Sequence, residues 1–152
     1  MNILKVITPK RIIGNLGEKE AAKFLRRKGY KILEKNYVAH DNEIDIIAKK
    51  DNIIAFVEVK TRNVKNLGKE IARPASAVTP EKQRNIIKAA RYYSQRSSED
   101  TRWRFDVVEV YTENIDKTTK IKEIKHLEGA FTLSDAYDSR YQYIRKKEGS
   151  NL

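Results

Sequence analysis

Cysteine is absent from this chain, so it can form neither disulfide bonds nor thiolate metal sites and has no cysteine nucleophile. Apolar runs long enough to cross a membrane are absent too, and no signal-peptide core follows the N-terminus. The sequence also has no internal repeat and no low-complexity segment. These absences predict a cytoplasmic protein with no membrane partner.

Positive charge is abundant. The 152 residues include 32 Lys and Arg against 21 Asp and Glu, which gives a net charge of +11. Such a field attracts polyanions, with nucleic acid first and an anionic membrane second. The alternative is a solvated basic surface with no partner. A chain of this length forms one domain and can bury about 70% of its unfolded surface.

The predicted elements alternate between helix and strand. Thr79 followed by Pro80 marks a helix start, and Gly29 marks a helix end. The elements are a helix from Asn15 to about Lys28, strands over 30–38, 42–48 and 53–62, a loop over 63–78, a helix from Thr79 to about Arg96, a turn over 97–100, and strands over 104–112 and 120–127. This order predicts an α/β domain over 1–131, in which helices flank a central mixed sheet. The first thirteen residues form a short basic lead, and 132–152 form a basic tail or helix.

The middle strands carry carboxylates within apolar runs. If Asp51 and Asn52 form a two-residue loop, Lys50 pairs with Ile53. The same register places Asp45 opposite Glu58 and Glu43 opposite Lys60. Alternation further predicts one face with Ile44, Ile46, Ala48, Ala55, Val57 and Val59, and another with Ile47, Ile54 and Phe56.

Opposed carboxylates about 5 Å apart repel, and a divalent cation between Asp45 and Glu58 would relieve this repulsion. Both residues could hold Mg²⁺ or Mn²⁺ while a phosphate completes the coordination. Lys60 could then position or deprotonate the attacking water. The alternative is an exposed charge ladder at the end of a sheet, with Glu43–Lys60 as a weak surface ion pair.

Each predicted helix has a polar residue at the head of its apolar stripe. Glu18 precedes Ala21, Ala22 and Leu25 at helical spacing, so we expect it to face the sheet as a third acidic group and metal ligand. Gln83 has the same geometry in the second helix and could orient a water or phosphate. Placement near a helix N-terminus would also explain Glu18, and capping or solvation would explain Gln83.

These residues belong to a wider set of motifs: Gly14-x-x-Gly17-Glu18, Gly29-Tyr30, Asn36-Tyr37, Glu43-Ile44-Asp45, Phe56-Val57-Glu58-Val59-Lys60-Thr61-Arg62, Lys82-Gln83 and Arg104-Phe105-Asp106-Val107-Val108. Over about 14–131 the chain resembles the YraN-like family of small bacterial proteins. The resemblance implies a restriction-endonuclease-like fold, similar to archaeal Holliday junction resolvases. It also implies a site formed by Glu18, Asp45, Glu58 and Lys60, with Gln83 at the matching polar position. Asn42 departs from the family pattern, which usually has Gly there.

Other candidates carry less weight. Asp106 could be an outer acidic group or a hydrogen-bonded edge residue. His40 and His126 lack the spacing of zinc ligands. Aromatic and basic residues alternate in the tail and could stack on nucleic acid, although a solvated tail is the favoured interpretation: Tyr137, Arg140, Tyr141, Tyr143, Arg145, Lys146 and Lys147.

The leading hypothesis is a metal-dependent nuclease that hydrolyses phosphodiesters in DNA, with branched or junction DNA as the favoured substrate. The second is a nucleic-acid-binding or partner-recruiting module that keeps this fold without turnover. Hydrolysis of a nucleotide phosphoester is a third, which the excess positive charge disfavours. A homodimer would suit the cutting of two strands, but the sequence shows no clear self-complementary interface.

Overall fold

The computed structural model describes residues 9–66, 78–96 and 100–137. Part of the predicted lead, of the 63–78 loop and of the 97–100 turn therefore lies outside the described residues. So does the tail beyond 137, with its predicted nucleic-acid contacts.

Five strands form one sheet in the order β1-β2-β3-β4-β5. Neighbouring strands are antiparallel, except that β3 and β4 are parallel. The elements are α1 (Pro9–Arg27), β1 (Lys31–Ala39), β2 (Asn42–Lys50), β3 (Ile53–Asn63), a 3₁₀ helix (Val64–Asn66), α2 (Pro80–Ser94), β4 (Arg102–Ile115), β5 (Thr118–Phe131) and α3 (Leu133–Tyr137). The predicted mixed sheet flanked by helices is confirmed.

The first helix, α1, differs from the prediction at its start and agrees with it at its end. The predicted start of the first helix at Asn15 is wrong, because α1 begins at Pro9, whose fixed φ suits a first helical position. Residues 9–13 of the predicted lead are therefore helical. The end is as predicted: Gly29 has a φ of 93°, and its N–H donates to the carbonyl of Arg26.

Helices cover both faces of the sheet, as expected. One buried cluster lies beneath α1 and includes Ala21, Ala22, Leu25, Ile46, Ala48, Ala55, Val57, Val108 and Val110. The other lies beneath α2 and includes Ile44, Ile47, Ile54, Phe56, Ile86, Ile87, Phe105 and Val107. Each sheet face is thus shielded from water by one long helix.

The predicted face of Ile44 is wrong. Ile44 belongs to the cluster beneath α2, whereas Ile46 belongs to the cluster beneath α1. Between their partners in β1 lies Asn36, which has a left-handed φ of 51°. A residue in this conformation interrupts strand alternation, and Asn adopts it more readily than most residues. The interruption lies next to Asp45.

The two-residue loop of the central hairpin is confirmed. Asp51 has a left-handed φ of 54°, and the β2–β3 register runs from Lys50↔Ile53 to Ile46↔Val57. This is the register inferred from the loop. It aligns the carboxylate-bearing ends of the two strands.

Gly17 allows α1 to lie directly against β3. A Cβ atom added at Gly17 would lie 1.9 Å from Oγ1, 3.0 Å from Cβ and 3.2 Å from Cγ2 of Thr61. Rotating the threonine cannot clear all three atoms, so helix and strand would have to separate. We therefore expect Gly17→Ala to lower the free energy of unfolding by about 1–2 kcal/mol, since overpacking outweighs the gain in helix propensity. Urea unfolding measures this.

The matched control is Gly14, in the same helix, where an added Cβ meets nothing within 4 Å. Gly14→Ala should stabilise the protein by about 1 kcal/mol through helix propensity alone. Adding Thr61→Ala to Gly17→Ala should restore most of the lost stability. Equal effects at Gly14 and Gly17 would contradict the close approach.

No helix in the described ranges is both long enough and apolar enough to span a membrane. This finding agrees with the lack of long apolar runs in the sequence.

Candidate acidic site

The site lies where β2 and β3 stop pairing. Beyond Ile46↔Val57, the carboxylate of Asp45 accepts a hydrogen bond from the backbone N–H of Val59 at 2.8 Å. The Asp45 side chain thus takes the place of a backbone acceptor in the ladder. This contact holds Asp45 against the side chain of Glu58, with which it interacts directly.

The electrostatics of this pair are unfavourable. Burial, followed by the negative charge of Glu58, raises the pKa of Asp45 to about 7, against a weaker opposing effect of the Val59 N–H and Lys82. Repulsion between the half-buried Asp45 and the buried Glu58 carboxylates favours retention of a proton near neutral pH. A positive group between them would release that proton.

The Glu58 carboxylate is buried, and only one of its two oxygens lies near a positive charge. Its Oε1 atom lies 3.5 Å from the Nζ atom of Lys60, whereas its Oε2 atom is buried with no hydrogen-bond partner in the part of the chain described. The predicted cross-strand pairing of Glu43 with Lys60 is wrong: the β2–β3 register ends at Ile46↔Val57 and includes neither residue. The interrupted ladder explains this, because the two strands no longer align residue by residue beyond Ile46 and Val57.

Glu18 lies at the edge of this pair. Burial raises its pKa, and the charges of Asp45 and Glu43 add to the effect, while a hydrogen bond from Asn36 opposes it. Within residues 9–66, 78–96 and 100–137, no three acidic or histidine side chains are grouped closely enough to hold a metal ion. The structure therefore brings Asp45 and Glu58 together and places Glu18 nearby.

Gln83 lies in the first turn of α2, next to Lys82, whose charge acts on Asp45. The Thr79 hydroxyl caps this helix by accepting from the Lys82 N–H at 3.1 Å. The side-chain amide of Gln83 donates to the Val78 carbonyl at 3.0 Å, and its Oε1 atom is buried without a partner among the described groups. The side chain is therefore anchored by its nitrogen and leaves an oxygen available to a donor or a cation.

The donor set suits a hard divalent cation. Carboxylate and amide oxygens are the ligands that Mg²⁺ and Mn²⁺ prefer. The buried Glu58 Oε2 atom, beside Asp45, is the polar atom that a cation or its water would satisfy, and Gln83 Oε1 is a second buried oxygen without a partner among the described groups. The residues present therefore fit such an ion.

Sequence reasoning missed two neighbours of the site. Lys82 acts electrostatically on Asp45, and Asn36 hydrogen-bonds Glu18. Both belong to motifs already noted, Lys82-Gln83 and Asn36-Tyr37. An Asn within an otherwise strand-like segment was the signal for Asn36, because Asn is enriched at left-handed positions.

Asp106 belongs to a separate network on the α1 side of the sheet. Arg104 donates to both of its carboxylate oxygens at 2.8 Å, and the Gly129 N–H donates at 3.0 Å. His126 lies 2.8 Å from Asp106 through Nε2 and 2.8 Å from the Lys28 ammonium through Nδ1. Since a lysine only donates, Nδ1 accepts and Nε2 donates to Asp106. Asp106 is thus fully hydrogen-bonded within the fold.

The fold and the site together define a basic α/β protein with a carboxylate pair, Asp45 and the buried Glu58, where β2 and β3 of a mixed sheet stop pairing. Residues 17–110 match the family described as "Uncharacterised protein family UPF0102".

Relatives in that family cover most of this chain. A UPF0102 protein of Chlorobaculum parvum is 44% identical over 127 residues, which cover 81% of this chain and 94% of that protein. A UPF0102 protein of Caldanaerobacter subterraneus subsp. tengcongensis is 45% identical over 123 residues, 80% of this chain and 96% of that protein. The chain belongs to the UPF0102 family, which confirms the YraN-like resemblance.

Proposed function

We propose that this protein is a metal-dependent nuclease that hydrolyses phosphodiester bonds in DNA, with branched or junction DNA as its favoured substrate. The observation that carries the proposal is the Asp45–Glu58 pair, in which Glu58 is buried and its Oε2 atom lacks a partner among the described groups. Lys60 lies beside this pair, on a domain with a net charge of +11. The preference for branched DNA rests on the family resemblance and on the implied restriction-endonuclease-like fold.

Each residue has a role that follows from its position. Asp45 and Glu58 would hold Mg²⁺ or Mn²⁺, and Glu18 would assist through water at the edge of the site. When bound, the ion would neutralise charge on the scissile phosphate. Lys60, whose ammonium contacts Glu58, would position or deprotonate the attacking water. Gln83 would orient a water through its Oε1 atom.

The test is cleavage and metal binding by the purified full-length chain. With Mn²⁺, we expect it to cut a flapped or four-way DNA in a panel that also contains linear duplex. Calorimetric titration with Mn²⁺ should show binding that Asp45→Asn abolishes, because the metal would lose a charged ligand. A fully uncut panel would contradict the proposal. Tight DNA binding without Mn²⁺ affinity would favour a non-catalytic binding module.

A further inference from the structure

The outer surface of α1 carries a line of positive charge. Four exposed side chains form what is called here the α1 basic stripe: Lys19, Lys23, Arg26 and Arg27. At about 100° per residue, these positions fall within roughly 100° of the helix circumference. They lie opposite Ala21, Ala22 and Leu25, which α1 buries against the sheet.

This arrangement has an electrostatic cost within the helix. Lys19 and Lys23, and likewise Lys23 and Arg27, are four residues apart, where like charges repel. Glu20 offsets part of this by contacting Lys23 at 3.4 Å, in an exposed ion pair. Arg26 and Arg27 lie in the last turn, where the helix dipole favours cations. The helix dipole does not explain Lys19 and Lys23, because both lie before the last turn of α1.

We propose that the α1 basic stripe binds the phosphate backbone of one DNA strand, with the Lys19 end of the stripe toward the acidic site; this rests on the proposed function. From Lys19 to Arg27 the helix rises about 12 Å, at 1.5 Å per residue. That matches three to four nucleotides of one strand, at about 3.4 Å each. The stripe begins one residue after Glu18, which lies beside Asp45. The Lys19 end of the stripe is therefore the end that lies nearer the carboxylate pair.

The geometry favours nucleic acid over an anionic membrane. A helix that lies in a membrane interface inserts its own apolar face. In α1 that face is packed against the sheet and buried. Ile12 is exposed on the same side of α1, about two turns before Lys19. It is the one large apolar residue of α1 with a well-exposed side chain among the described residues, so the stripe adjoins a single apolar side chain rather than an apolar face.

The experiment compares two variants of the full chain with equal charge change. One replaces Lys19, Lys23, Arg26 and Arg27 by Gln, a good helix former. The control replaces four exposed cations on other elements by Gln: Lys88, Arg91, Lys120 and Lys122. Fluorescence anisotropy with a labelled four-way DNA, in EDTA and over a series of KCl concentrations, gives the affinity and its salt dependence. Circular dichroism checks that both variants keep the fold.

The stripe variant should bind DNA at least about tenfold more weakly at 0.1 M KCl. Its slope of log K against log salt should be shallower by roughly 2–4, because each lost phosphate contact removes about 0.9 from that slope. The control variant should change the slope by less than about 1. Equal losses in both variants, or none in the stripe variant, would overturn the inference.

Failure of the inference and failure of the proposed function are distinguishable. Stripe-dependent DNA binding without cleavage would support the inference and contradict nuclease activity. Wild-type cleavage with an unimpaired stripe variant would contradict the inference alone. Stripe-dependent sedimentation with phosphatidylserine vesicles, without stripe-dependent DNA binding, would overturn it in favour of a membrane surface.

Discussion

Glu58→Gln should reduce Mn²⁺-dependent DNA cutting by at least about 100-fold, because the charge stabilisation that a bound metal supplies in the transition state is worth several kcal/mol. The amide keeps the volume of Glu58 but removes the negative charge that would hold the ion. Initial cleavage rates on a four-way DNA at saturating Mn²⁺ measure the loss. Glu20→Gln is the control, because it makes the same change at a half-buried glutamate of α1. It should leave the rate within about threefold of wild type.

The stability of Glu58→Gln separates lost chemistry from lost folding. The substitution relieves the repulsion that contributes to the raised pKa of Asp45. Metal-free variant protein should therefore show a lower Asp45 pKa than wild type while remaining folded.

Lys60→Ala should also reduce cutting, by about 10²–10⁴-fold, if its ammonium serves the attacking water. Cutting that survives both substitutions would contradict the assigned roles.

Asp106→Asn should destabilise the fold by about 3–5 kcal/mol, as expected when one member of a buried ion pair is removed. Asp106 is fully buried and accepts from Arg104, His126 and the Gly129 N–H. The asparagine amide can accept at only one of the two positions and presents donors at the other. Chemical unfolding at pH 7 measures the change.

The pH dependence gives a second check on Asp106. Burial by itself would raise its pKa, but the hydrogen bonds from His126 and Arg104 outweigh burial and lower the pKa. Its stabilising contribution is therefore present above the ordinary pKa of an aspartate and is lost as the pH falls through the lowered value.

Glu128→Gln, at a half-exposed carboxylate, should cost less than about 1 kcal/mol. Equal losses for Glu128 and Asp106 would contradict the network.

Strong local signals predicted most of the fold. Thr79 and Pro80 located the start of α2, and Asp51 and Asn52 set the hairpin register, because both signals depend on backbone chemistry within a few residues. The register ends one pair before Asp45 and Glu58, and the two side chains still meet because Asp45 accepts from the Val59 N–H. The helix start and the hairpin register needed no knowledge of distant contacts.

Other features depended on interactions that local patterns do not reveal. Ile44 and Ile46 lie on opposite faces of the sheet, beside the left-handed residue Asn36 of β1, and strict alternation does not allow for this. Asp45 bonded to the Val59 N–H instead of continuing the ladder, so Glu43 did not meet Lys60. The predicted strands over 104–112 and 120–127 were too short, because β4 and β5 pair with each other beyond the end of β3.

The order of strands in the sheet has a consequence for how the chain folds. β2 and β3 are joined by two residues, whereas the parallel partner of β3 follows only after α2. Because the entropy cost of bringing chain ends together grows with the length of the loop, the hairpin should form early and the β3–β4 pairing late. Asp45 and Glu58 would then meet while the nascent sheet is still hydrated, and their desolvation would coincide with the arrival of α2.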